Sequence, residues 1–152
     1  MTKNELTKLN DEQLIWACAQ PLIWQVRGKD PLTKAQYMKT LSDAQRALFL
    51  FQVMFGHAHH GMKLFFEQIA YIAESMDFWA ALKSSMKYFN DEQMLSLVGK
   101  MERAYIALKQ GENCSAVLNE LDGQYDQRIP STVKLIGSYI RNNSADFIEF
   151  DG

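Results

Sequence analysis

LSDAQRALFLFQVMFGHAHHGMKLFFEQI, residues 41–69, decides how the rest of the chain is read. It opens with a capping box, Ser42 as cap and Gln45 three residues on, which marks the start of a helix. From Leu48 to Phe55 almost every position is apolar, which leaves almost no wet face. A helix apolar on most of its surface belongs in the middle of a bundle. Nine residues, 47–55, are too few to cross a bilayer, which takes about 20. Gly56 is the expected end. A second helix follows from about Gly61 to Glu74, with Met62, Phe65, Phe66, Ile69 and Ile72 inward. Two such helices predict an all-α fold built around a buried pair.

Outward from this pair the chain keeps helical periods. Asn10 caps a first helix with Asp11 and Glu12 in its opening turn, where carboxylates suit the macrodipole. Pro21 lacks an amide hydrogen and is expected to kink or split that helix. Pro31 opens a short helix, Ser75 or Asp77 caps the next, and Asn90 with Gln93 makes a further box-like start. Met94, Val98, Met101, Tyr105 and Leu108 recur at intervals of three and four, and Gly111 ends their helix. "NCSAVLNELD" (113–122) reads as a separate short helix and "LDGQYD" (121–126) as a turn followed by one more helical turn. Pro130 is expected to open the segment 130–142, and Ser144 to cap a last turn. The expectation is one domain over 1–152, a bundle of seven to nine short helices, with no strand.

The chain has 152 residues, 47% hydrophobic and 22% charged, ordinary for one globular domain. The first residues contain no apolar core of a secretory leader, and Cys18 and Cys114 are isolated, so a reduced, cytoplasmic setting is expected. A net charge of −2 drives neither nucleic-acid nor membrane binding. The charge is uneven. Residues 1–110 hold 13 Lys/Arg and 11 Asp/Glu, a net of +2, whereas 111–152 hold 3 and 7, a net of −4.

Catalytic patterns are sparse. No GxSxG, Walker loop or GxGxxG occurs, and the acids in predicted first turns suit helix starts. All three histidines, His57, His59 and His60, sit in "HAHH". Imidazoles are zinc ligands, but this is not a helical i, i+4 pair and no HExxH is present. In a helix His57 and His60 share a face and His59 does not, with Glu67 two turns beyond as an oxygen donor. A metal-dependent enzyme at this cluster is the alternative of a different class. The leading expectation is a non-enzymatic protein-interaction domain without cofactor. Its acidic end, Glu112, Glu120, Asp122, Asp126, Asp146, Glu149 and Asp151, presents carboxylates as a phosphate backbone does and meets a basic partner. An immunity-type or regulatory protein binder is the alternative of the same class.

The order of segments resembles the domain of unknown function 4375 (DUF4375) family, which contains a DNA-mimic protein from Neisseria. Leu41 and Gln45 match the helix start, Gly61 the joint and Phe65-Phe66 the aromatic pair. Leu121, Asp122, Tyr125, Tyr139, Ile140 and Phe147 match the tail. The similarity covers about 41–150, with 1–40 an N-terminal helical extension. At the joint, His59-His60 stand where the family pattern has Asn-Gly, and Glu67 or Gln68 where it has Asn. The resemblance implies an all-α fold and a dimeric DNA mimic that binds DNA-binding proteins.

Overall fold

The computed structural model describes residues 1–151. Among them the chain forms eight α-helices and a short 3-10 turn: α1 (Lys3–Lys8), α2 (Asp11–Val26), α3 (Pro31–Thr40), α4 (Asp43–Ala58), α5 (Met62–Ala73), α6 (Phe78–Tyr88), α7 (Glu92–Lys109), α8 (Ser115–Asn142) and the turn Ser144–Asp146. No strand occurs among the described residues, and none of their helices is long and apolar enough to cross a membrane.

Most of the expected caps are in place; Ser144 is not one, since it is the first residue of the last turn, Asn143 precedes it and no side chain caps it. Asn10 with Gln13 and Ser42 with Gln45 close reciprocal boxes, Asp30 precedes Pro31, and Asp77 accepts the Ala80 amide. A further box, Thr2 with Glu5, starts α1, which the sequence reading did not single out. Asp91, not Asn90, caps α7; Asn90 takes φ 58°, a left-handed turn that asparagine tolerates, and so leaves its side chain out of the cap.

α4 is buried along Ala47, Leu48, Phe49, Leu50, Phe51 and Met54, and packs chiefly on α6 and α2. It runs past Gly56 to Ala58, and the reversal falls at Gly61, whose φ of 105° favours glycine. Phe65, Phe66, Phe78, Trp79 and Tyr105 join α5, α6 and α7 through edge-to-face and tilted ring pairs 5.4–6.2 Å apart.

A split at Pro21 and a fresh start at Pro130 do not occur. α2 continues across Pro21, which is exposed, so the lost amide costs one hydrogen bond while Leu14, Ile15, Cys18, Ala19 and Val26 anchor the helix on both sides. α8 is 28 residues long and passes through Gly123 and Pro130, where the sequence suggested a turn and a fresh start. Its inward stripe explains why. Leu118, Leu121, Tyr125, Thr132, Ile136 and Ile140 are buried, with Ile129 half-buried between them, so one apolar face crosses both residues without a change of period. α8 lies against α2, α7 and α5.

Candidate functional site

The largest apolar opening lies between α2, α3, α4 and α5. Every seventh or eighth residue along α2, from Trp16 to Ile23 and Trp24, lies on one side, and Arg27 ends the row. α4 presents Phe49, Gln52, Val53, Gly56 and His57 at intervals of three and four. Met38 and Phe78 are buried beneath, and Lys34 and Tyr71 close one end. The result is a trough of about 510 Å³ with mostly apolar walls. That volume lies in the range of binding clefts.

The walls are not folded away. Trp16 is 43% exposed, Trp24 57% and Tyr71 45%. The cationic groups are set by their neighbours: the Lys34 ammonium donates to the Tyr71 hydroxyl at 2.9 Å and sits 4.8 Å from its ring centre. Arg27 forms no ion pair among the described residues, and no carboxylate among them lines the trough. Gln52 brings a buried acceptor, its Oε1, with no hydrogen-bond partner among the described residues. Trp16, Gln52 and Gly56 also line an adjoining hollow with Glu12, Phe55 and His59. The two openings therefore meet at these residues, with cations towards one end and Glu12 towards the other.

The three histidines diverge. α4 ends at Ala58, so His57 alone stays on the helix, and the shared face expected for His57 and His60 is not formed. His57 lines the trough, His59 the adjoining hollow, and His60 a third hollow with Lys63, Glu67 and Asp122. His59 places Nδ1 3.2 Å from the Phe55 carbonyl oxygen, and its ring lies 3.8 Å from that of His60. Among the described residues no three His, Cys, Asp or Glu side chains converge as a metal site.

The acidic residues fall in two groups, one from the start to the middle of α8 and one past its C-terminal end. Glu112 and Glu120 line a hollow that also holds Lys100 and Arg103. Asp122 is half-buried and accepts the Met62 amide, and Asp126 is exposed farther along the helix. Asp146, Glu149 and Asp151 lie beyond its C-terminal end, which is about 24 Å past Asp126 and about 33 Å past Glu120 at 1.5 Å per helical residue. Asp151 pairs with the terminal ammonium at 3.1 Å.

The trough was not foreseen. Its signal in the sequence is a second apolar row on α2, Trp16, Ile23 and Trp24, offset from the core row of Leu14, Ile15 and Cys18. Compared with protein-family models, curated proteins and solved structures, the chain has no match.

Proposed function

We propose that the chain is a non-enzymatic binding domain whose trough takes an amphipathic, acidic helix of another protein. The observation that carries this is the pair Trp16 and Trp24 standing exposed on an apolar wall beside Arg27 and Lys34. Trp, Tyr and Arg are the residues that dominate binding energy at protein interfaces. A groove walled by exposed aromatics suits the apolar face of a docked helix. The distance along α2 from Glu12 to Arg27 is about 22 Å, four helical turns. Two cations with no opposing carboxylate favour acidic residues, and the negative C-terminal end of a docked helix, at Arg27 and Lys34.

The DUF4375 resemblance suggests a partner of the opposite sign, a DNA-binding protein met by the acids of 111–152. That reading rests on charge pattern, and the separation of those acids into one group along α8 and another past its C-terminal end favours the trough instead.

A photo-crosslinking phenylalanine in place of Trp24, irradiated in intact cells, tests the proposal. The expected product is an adduct mapping to an acidic amphipathic helix, lost in R27E/K34E and in Gly56→Leu, which plugs the trough. No adduct, or one that survives both variants, overturns it. Loss only in E112K/E120K transfers the interaction to the acidic end.

A further inference from the structure

The side chains that line the trough differ in depth. Trp16, Trp24, Arg27 and Tyr71 are exposed at its rim, whereas Ile23, Val53, Ile72 and Met76 are half-buried and Phe49 is buried, so these five form its floor. A helix is about 10 Å across and reaches a space of about 510 Å³ only with its side chains. A single slender alkyl chain enters it whole, and the volume is that of a small-molecule cleft.

Free positive charge gathers at one end. The Lys34 ammonium gives one hydrogen to the Tyr71 hydroxyl at 2.9 Å, which leaves two. Arg27 is exposed and joins no ion pair among the described residues. No carboxylate among them lines the trough to oppose an incoming anion. From Trp16 to its C-cap Arg27, α2 advances roughly 16 Å, room for a chain of about ten carbons and its carboxylate.

We infer that the trough binds a medium-chain aliphatic carboxylate, which shuts out a docked helix. The alkyl chain lies on Phe49, Val53, Ile72 and Met76. The carboxylate accepts from the Arg27 guanidinium and the remaining Lys34 hydrogens, charge-assisted contacts that a neutral or cationic head group does not make. The competition rests on the helix reading, since the acid fills the floor that the helix's apolar side chains would cover; the binding of the acid does not.

Fluorescence of Trp16 and Trp24 in the full chain, with no partner present, tests the binding; Trp79 is 5% exposed and already shielded. The probes are octanoate, decanoate, decanol and decylammonium, each below its micelle concentration. The expected result is a saturable blue shift, with decanoate the tightest of the ten-carbon probes and decylammonium the weakest. Decanoate is expected to bind roughly tenfold tighter than octanoate, the effect of burying two more methylenes. In R27E/K34E decylammonium is expected to overtake decanoate, and Gly56→Leu is expected to abolish the shift. No saturable shift, equal affinity for decanoate and decanol, or an order unchanged in R27E/K34E overturns the assignment. Decanoate added to lysate before irradiation is expected to suppress the Trp24 adduct. An adduct that persists at saturating decanoate overturns the competition alone, whereas decanoate binding with no adduct in its absence overturns the helix reading and leaves the carboxylate site standing.

Discussion

The Asp122 carboxylate accepts the Met62 amide hydrogen at 2.8 Å, joining the middle of α8 to the first residue of α5. The cap position of α5 is Gly61, which has no side chain, so a residue 60 positions beyond Met62 supplies the missing acceptor. A carboxylate at a helix start also meets the positive end of the dipole. One of the acids singled out for partner binding thus has a job inside the fold.

Replacing that acceptor is therefore expected to weaken folding. Asp122→Ala costs about 1 kcal/mol, the usual loss for a helix cap, read as a lowered urea midpoint at unchanged slope. Glu120→Ala, on the exposed side of α8, stays close to the parent.

Asp91 is the stronger case. It caps α7, and its buried carboxylate holds Arg128 and Thr132 of α8. Asp91→Ala leaves the guanidinium without its counter-charge and is expected to cost about 3–5 kcal/mol. Adding Arg128→Met removes the stranded charge, so the double variant is expected to be more stable than Asp91→Ala. A double-mutant cycle by chemical denaturation measures the coupling.

Two glycines of α8 behave oppositely. A Cβ on Gly137 would stand 2.7 Å from Asp11 Cβ and 2.6 Å from its Cγ, whereas one on Gly123 meets nothing within 4 Å. Gly137→Ala forces α2 away from α8, a strain of about 1–3 kcal/mol. Gly123→Ala gains roughly 0.5–1 kcal/mol from a stiffer helix. Melting temperatures of the two single variants are expected to move in opposite directions.

Alkaline pH has a built-in cost. Burial pushes the Cys18 thiol from its ordinary 9.0 up to about 12. Between those values the unfolded chain has released this proton and the folded chain has kept it, so stability falls as pH rises. Tyr88 and Tyr125, raised chiefly by burial, act in the same direction above their ordinary 10.0. The melting temperature is expected to decline from about pH 9 upwards, less steeply in Cys18→Ala. Under native conditions at neutral pH Cys18 resists thiol reagents, since the thiolate is the reacting form.

Most helix starts were legible because a cap is a local device: Ser42 and Gln45, or Asn10 and Gln13, need only three residues to find each other. The burial of α4 was legible from its unbroken apolar run. α8 was misread because Gly123 and Pro130 are local signals, and the packing of Tyr125 and Ile136 on other helices overrides them. Asp91 looked like an ordinary first-turn acid, since nothing near it in sequence announces Arg128 or Thr132. The trough, assembled from four helices, was visible only as two tryptophans on the wrong side of α2.

The contact between α2 and α8 sets an order on synthesis. Arg141 of α8 donates to the carbonyl oxygen of Leu9, just before α2, at 2.7 Å, linking residues 132 positions apart. A ribosome releases α2 long before α8 exists, so Leu14 and Ile15 emerge with part of their cover still untranslated. Chains emerge N-terminus first, and exposed apolar surface at that stage invites aggregation. The nascent protein is therefore expected to gain more from chaperone shelter than a bundle whose neighbours in space are neighbours in sequence.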